Sequence, residues 1–341
     1  MMWVEFFCGI GGVAEAMRQL ASDGGRADLK TYHAIDIDHD CGRVYQHNFG
    51  LAVDCRTIES VHWDNLADAG KLTSHSNTAK HGNPGGLAGP GNPIDQQDGR
   101  DRKLETAGDH DPVHWWLSPP CQPYCRRGTG DYVNDRRCDA LLALIAWMRA
   151  QPKRIPAKIV IENVPLFASS SHADQLRDAL CINGYRITEA TLCPTQFGIP
   201  NRRLRYYMIA NQSHQVSIDV PADASLRFTI PDILDPMPNV DSTRWISPQI
   251  ANDYAAAMDV VDADDAAATS ACFASGYGKS MIRSGSYVRH GERLRRFSPT
   301  EVSRLMGFSA RFQFPPDLSD RKRWKMLGNS LSIPVVKSLL L

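Results

Sequence analysis

Short apolar runs alternate along this chain with stretches whose apolar positions recur every three or four residues. Residues 3–7, Trp-Val-Glu-Phe-Phe, form one such run and predict a buried strand. Gly9, Gly11 and Gly12 follow as a turn, and Val13, Ala16, Met17 and Leu20 then share one face of a helix predicted over residues 13–21. Residues 32–36, Tyr-His-Ala-Ile-Asp, read as a second strand ending in an acid, and residues 40–48 as a helix closed at Gly50. Further strands are predicted at 158–162 and 205–210, and helices at 139–150 and 172–183. Strands alternating with helices predict an α/β fold with a doubly wound, mostly parallel sheet and right-handed crossovers.

Two stretches break this rhythm. Residues 71–111 are rich in Gly, Asn, His, Asp and Ser and carry almost no large apolar side chain. They bury too little surface to offset the cost of ordering, so a disordered insertion is expected. The irregular spacing of His75, His81 and His110 argues against a metal site, and no metal is expected. Residues 212–290 carry proline turns, an acidic segment near 257–266 and the run Cys272-Phe273-Ala274-Ser275-Gly276-Tyr277-Gly278. They are expected to form a small lobe beside a main domain over 1–211, with 291–341 returning to the main domain. In that last stretch Ser298-Pro299-Thr300-Glu301 has the spacing of a helix-opening capping box. Gly328-Asn329-Ser330-Leu331-Ser332 reads as a turn opening a final helix over residues 334–341.

Composition adds limits. The 341 residues carry zero net charge, with 43% hydrophobic and 22% charged residues, as in ordinary soluble domains. A strongly basic field over the whole protein is thereby excluded, so any basic surface for nucleic acid must be local. Arginines do cluster, at 126–127, 136–137, 202–205, 293–296 and 321–323. Nine cysteines without a C-x-x-C pair, no apolar leader at the N-terminus and no apolar run of roughly 18 residues predict reduced thiols inside a cell. The cytoplasm, with the nucleus as a further compartment, is the expected location; no membrane association is expected, and a monomer is favoured.

The chemistry centres on Ser118-Pro119-Pro120-Cys121-Gln122-Pro123-Tyr124, directly after the apolar run Val113-His114-Trp115-Trp116-Leu117. The prolines remove backbone freedom just before the thiol, which suits a nucleophile. Glu162-Asn163-Val164 follows another strand-like run, and Arg202-Arg203-Leu204-Arg205 precedes a third. A thiol, a carboxyl and paired guanidiniums fit methyl transfer to carbon 5 of a cytosine. That carbon is a poor nucleophile until a thiolate adds to carbon 6. A carboxyl group at ring N3 favours the addition, and guanidiniums at O2 stabilise the developing charge. Cys121 and Glu162 fill the first two roles. Arg203 and Arg205, two apart on a predicted strand, face one way and fill the third. The target base must leave its stack, so the substrate is a flipped duplex base or a loop base.

The turn Gly9-x-Gly11-Gly12 lacks the G-x-G-x-x-G spacing of a dinucleotide site, which disfavours nicotinamide and flavin chemistry. Asp36, at the end of the second strand, can accept from both ribose hydroxyls, and Ile58 would border an adenine. That combination suits S-adenosylmethionine.

These residues resemble the cytosine-5 methyltransferase family over nearly the full length. FCGIGG is similar to its first motif, PPCQ to its nucleophile motif, ENV to its glutamate motif and RRLR to its arginine motif, while RFSPTEVSRLMGF and GNSL are similar to its last two. The resemblance implies a doubly wound catalytic domain with a target-recognition lobe. It implies Cys121 as nucleophile, Glu162 at the base, and Arg203 and Arg205 in support. Phe7, Gly9, Ile10, Gly11, Gly12, Asp36, Ile58, Pro120, Asn329 and Leu331 would line the S-adenosylmethionine site. Gln122, Arg126, Asn163, Asn201, Cys272, Phe273 and Tyr277 would meet the substrate. PTQFGIPNRRLRYYMIA, CFASGYG, RLRRFSPTE and KMLGNSLSIPVV are most similar to the branch that methylates an anticodon-loop cytosine of tRNA-aspartate. The chain departs from that branch in the nucleophile loop, where Tyr124-Cys125 stands for the usual Phe-Thr, and at Ala274, which stands for a threonine. Two other readings stay open: a DNA cytosine-5 methyltransferase, and a non-catalytic RNA-binding protein that keeps the fold.

Overall fold

The computed structural model describes residues 1–24, 30–61, 66, 112–125, 134–151, 156–222, 225–237 and 240–340. The insertion expected at 71–111 lies outside them.

Strand β1 (Met2–Phe6) is buried at every position and lies between β2 (Lys30–Ile35) and β3 (Val113–Leu117). With β4 (Lys158–Asn163), β5 (Arg186–Leu192) and β7 (Arg205–Asn211) they form a six-stranded sheet in the order β2-β1-β3-β4-β7-β5. The first four run parallel, and β7 is antiparallel to both β4 and β5. The mostly parallel sheet is therefore present. The sequence reading missed β5, whose Arg-Ile-Thr-Glu-Ala-Thr-Leu is half exposed at the sheet edge and lacks a continuous apolar run.

Alternating side chains along the strands feed two cores. Trp3, Trp116, Val160, Tyr207 and Ile209 pack on one face with helices α1 (Gly12–Ser22) and α7 (Ile333–Leu340). Val4, Phe6, Trp115, Leu117, Ile159, Ile161 and Met208 pack on the other with α3 (Asp139–Ala150) and α4 (Ser171–Ile182). The period of two explains why the strands read as unbroken apolar runs: both faces are covered. Helix α2 (His39–Phe49) opens on the Asp38 carboxylate, which accepts from the N–H groups of Asp40 and Cys41, and stops at Gly50.

Residues 259–296 build a three-stranded sheet from β8 (Asp259–Asp262), β10 (Ser286–His290) and β11 (Arg293–Arg296). The β10–β11 hairpin crosses residue 290, where the sequence reading had divided lobe from domain. Nor does this sheet have a core of its own: Phe273, Tyr277, Tyr287 and Phe297 belong to the same apolar cluster as α1 and α7. The short β6 (Asn201–Arg202) and β9 (Ser270–Ala271) pair in parallel as a separate two-stranded sheet.

The expected capping box opens α5 (Pro299–Leu305). Ser298 Oγ accepts from the Glu301 N–H at 3.0 Å, and Glu301 Oε2 accepts from the Ser298 N–H at 2.6 Å. The same carboxylate forms a buried two-pronged pair with Arg295, at 2.8 and 2.9 Å, and accepts from the Asp235 N–H at 2.7 Å. The buried carboxylate accepts four hydrogen bonds, two on each oxygen, which is what makes its burial tolerable. Helix α6 (Asp320–Gly328) was also missed; Gly328 ends it rather than opening a turn to the final helix. Its five polar residues in nine hide the apolar Trp324, Met326 and Leu327 that hold it down.

Glu5 is the exception inside β1. Burial pushes its carboxyl from 4.5 to about 7, against hydrogen bonds from Thr31 and Tyr45 that pull it down. Below about 4.5 the group is neutral in both folded and unfolded chains. As pH rises from there to about 7, the unfolded chain loses this proton first, so stability falls by about 3 kcal/mol and then levels off. Denaturant midpoints at about pH 5 and about pH 8 are expected to show that loss, and Glu5→Gln to shrink it. An unchanged difference in the variant would rule this account out.

Candidate active site

The strand register aligns the carboxyl ends of four parallel strands. Phe6 stands opposite Ile35 and Leu117, and Leu117 opposite Ile161. The segments that leave these strands open onto one edge, the position where open α/β sheets hold ligands.

On one half of that edge lies the glycine turn. Phe7, Gly9 and Gly11 take positive φ values of 57°, 54° and 84°. A Cβ placed on Gly9 would meet nothing within 4 Å, so the turn faces open space. The Gly9 N–H donates to Asp36 Oδ2 and the Asp38 N–H to Asp36 Oδ1, each at 2.8 Å. Asp36 is thus pinned beside the turn at the end of β2. Burial pushes its carboxyl above the usual range, although both N–H groups pull it down. Leu331 packs on Gly12, with its Cβ 3.0 Å from where a Gly12 Cβ would stand, and brings the GNSL segment to the same place.

The other half holds the reactive groups. Cys121 follows β3 and begins the helical turn Gln122–Tyr124. Glu162 lies near the end of β4. Because β7 is antiparallel, it starts where β4 ends: Asn163 pairs with Tyr206, and Arg205 is the next residue out. Arg205 Nε stands 3.3 Å from Glu162 Oε1. Burial pushes the Glu162 carboxyl up, while Arg205, Arg203 and the Ser118 hydroxyl pull less strongly down. The result is an acid whose proton is held above the ordinary carboxylate range, directly beside the nucleophile loop.

Cys121 and Cys125 are hydrogen-bonded through their thiols. That bond is the largest influence on Cys121, followed by burial and the neighbouring Cys125 and Glu162, all of which raise it, with Arg205 opposing. The pair loses its first proton readily, with Cys125 drawn down to about 6 by the same bond and by Arg205 and Arg137. The second proton is held far more tightly, so one negative charge is shared between two sulfurs.

Arg203 departs from expectation. Strand β7 begins at Arg205, so the two arginines do not share a strand face. The Arg203 guanidinium is buried, and it donates to Phe273 O and Gly328 O, each at 3.1 Å, and to Ser330 O. It knits the arginine segment to the CFASG and GNSL segments. The fit there requires glycine: a Cβ on Gly328 would come within 2.3 Å of the Ala274–Ser275 peptide. Cys272 Sγ lies 3.4 Å from Arg203 Nη1 and 3.6 Å from Arg205 Nη2. Burial pushes that thiol up, but the two guanidiniums together outweigh it and lower the net value.

A family model for the C-5 cytosine-specific DNA methylase matches residues 90–246 and 237–341. The chain belongs to this family. It is therefore a cytosine-5 methyltransferase, and the family's methyl donor is S-adenosylmethionine. The Rattus norvegicus tRNA (cytosine(38)-C(5))-methyltransferase is 23% identical over 99% of this chain and 97% of that protein. The Dictyostelium discoideum DNA (cytosine-5)-methyltransferase is 28% identical over 99% and 92%. Among solved structures, the Entamoeba histolytica methyltransferase EhMeth matches with a TM-score of 0.77 at 24% identity, covering 100% of this chain and 96% of that one, a likeness of fold.

Within this methyltransferase, several residues expected to meet a ligand are turned inward. Ile10 points into the core, so only its backbone is left to the cofactor edge. Asn163 Nδ2 donates to Pro119 O at 3.2 Å and its Oδ1 accepts from the Val164 N–H at 2.8 Å, which ties two loops together. Asn201 Nδ2 donates to Ser270 Oγ and Ala271 O, at 2.9 and 3.0 Å. Phe273 and Tyr277 stack edge to face inside the apolar core shared with α1 and α7. Ile58 is buried beneath the edge, Pro120 and Gln122 are half-buried on the nucleophile loop, and Asn329 is exposed. Arg126 lies outside the described residues. Ser118, which opens the nucleophile motif and bonds Glu162, was not singled out from sequence, since a serine before two prolines carries no signal of its own. Among the described residues no cluster of three or more His, Cys, Asp or Glu could hold a metal ion.

The shared thiol charge is measurable. In Cys125→Ala the Cys121 thiol loses the neighbour that most strongly holds its proton. Alkylation of the Cys121 peptide by iodoacetamide, followed against pH by mass spectrometry, should then rise at lower pH than in the wild type. Coincident profiles would show that the two sulfurs titrate independently.

Proposed function

We propose that this chain methylates carbon 5 of a cytosine in tRNA, with the anticodon loop of tRNA-aspartate as its substrate, through a transient Cys121 adduct. The observation that carries the reading is the Glu162–Arg205 pair at 3.3 Å, set against the Cys121 loop at one edge of the sheet. The Cys121 thiolate adds to carbon 6. Glu162, held as an acid by burial, donates to ring N3, and the electron pair moves toward carbon 5. Arg205 stabilises charge at O2, while Arg203 holds the Arg205 segment in place. Once carbon 5 carries the methyl group, loss of its proton re-forms the carbon 5–carbon 6 double bond and expels the thiolate, and the N3 proton returns to Glu162.

The open space at Gly9 and the pinned Asp36 fit an adenosyl ligand: a small backbone faces the ligand and a carboxylate with spare lone pairs faces its hydroxyls. Phe7, Gly9, Gly11, Asp36, Ile58, Pro120, Asn329 and Leu331 would hold it. When bound, S-adenosylmethionine supplies an electrophilic methyl group.

Three observations favour tRNA over duplex DNA. The Rattus norvegicus relative carries a tRNA name over nearly the whole length. The small sheet spans few residues, leaving little room for a reader of DNA sequence. A loop base is already partly unstacked, so its extrusion costs less. The Dictyostelium discoideum relative, named as a DNA enzyme, supports the alternative.

Incubation with labelled donor and either a tRNA-aspartate transcript or duplex DNA is expected to label the tRNA. Label in DNA alone would transfer the proposal to DNA. Cys121→Ala should lose about a thousandfold or more in rate while cofactor affinity by calorimetry stays within about twofold. Wild-type rates in that variant would refute the covalent route. Binding of tRNA without transfer by the wild type would favour the non-catalytic reading.

A further inference from the structure

The nucleophile loop is anchored on both sides of its thiol. Before Cys121, Pro119 O accepts from Asn163. After it, the Tyr124 hydroxyl lies 2.8 Å from His172 Nδ1 and 3.4 Å from Cys138 Sγ. The Tyr124 ring also stands edge-on to Phe167, 4.9 Å between centroids. All four of Tyr124, Cys138, Phe167 and His172 are buried. Asn163, Phe167 and His172 belong to the segment that leaves β4 immediately after Glu162, so both anchors tie Cys121 to the chain that carries the acid.

We infer that Tyr124 and His172 are positioning residues: their buried hydrogen bond fixes the Cys121 loop relative to Glu162. The Tyr124 N–H donates to Cys121 O at 3.0 Å, so the tyrosine and the nucleophile are two ends of one tight turn. A hydroxyl held in the core therefore restrains the half-buried thiol. The bond needs the tyrosine hydroxyl, which a phenylalanine at this position would lack. Burial favours the neutral form of His172, and a neutral ring keeps a lone pair to accept from the hydroxyl. The arrangement differs from ordinary core packing in one respect. The phenylalanine variant would fill the same volume and keep the ring contact with Phe167, yet would remove the hydrogen bond between residue 124 and the buried imidazole.

The inference rests on the covalent role of Cys121 proposed above, but its first readout does not require turnover. In Tyr124→Phe, Cys121 in the free protein is expected to alkylate several times faster, since its loop samples more open positions. The variant's kcat should fall about tenfold with KM for tRNA and for cofactor unchanged, because ground-state binding is untouched while the reacting geometry is lost. His172→Leu should behave alike. His172→Asn, whose side-chain oxygen falls near the Nδ1 position, should recover most of the rate. Wild-type alkylation and wild-type kcat in Tyr124→Phe would overturn the inference. So would a loss of rate that His172→Asn fails to restore and that follows a matching loss of melting temperature. If the wild type transfers no methyl group at all, the alkylation rates alone decide the matter, and the failure then belongs to the proposed reaction.

Discussion

The buried guanidinium of Arg203 is the junction on which the site depends. It lies where three distant stretches meet, and its donors go to backbone carbonyls of Phe273, Gly328 and Ser330. Charge-assisted hydrogen bonds to buried carbonyls are among the stronger ones a protein makes. An uncharged or shorter side chain would strand three buried acceptors at once, each at a cost of about 1–3 kcal/mol. The junction explains how Cys272, from the small lobe, comes within reach of Arg205 from the main sheet, and how Leu331 comes to rest on the glycine turn.

The second constraint is the direction of β7. Had it run parallel to β4, its first residue would lie at the opposite edge of the sheet, far from the thiol. Running antiparallel, it places Arg205 at the carboxyl end of β4, beside Glu162. The acid then experiences two opposed influences. Burial disfavours its ionised form, and the guanidinium favours it, with burial the larger. A fully compensated ion pair would hold Glu162 as a carboxylate and make it a poor proton donor. Incomplete compensation leaves a carboxyl that holds its proton more tightly than an ordinary carboxylate does.

Much of this was legible in the sequence, for reasons tied to particular residues. The main strands were visible because both faces of the sheet are covered, and Cys121, Glu162 and Arg205 were singled out because each stands at or beside one end of an apolar run. The half-exposed β5 and the polar helix α6 were not, since neither carries an apolar run. The side chains of Asn163, Asn201, Phe273 and Tyr277 were assigned to the substrate because motif membership does not reveal direction. Their partners, Pro119, Ser270 and Phe297 among them, lie far away in sequence, so only the folded chain shows that these side chains hold loops together. Arg203 failed for a related reason: alternation predicts a shared face only inside a strand, and the strand starts two residues later.

The last stretch of the chain completes both halves of the site, and the relative sizes of its interactions show what holds it there. Lys322, Lys325 and Asp317 pair with Asp40, Asp38 and Arg43 across to α2, at 2.6, 3.3 and 2.9 Å. All three pairs are largely exposed on the basic side, and exposed pairs contribute roughly 0–1 kcal/mol each. Leu327, Ile333, Val335, Val336, Leu339 and Leu340 are buried in the same stretch, and each contributes about 1.5–3 kcal/mol. Burial therefore docks the segment, while the ion pairs select its register along α2. The glycine turn near residue 10 is consequently walled by Leu331, more than three hundred residues on. The Leu331 wall of the glycine turn and the Arg203 junction therefore share one long-range docking event, and both need the chain's two ends to have met.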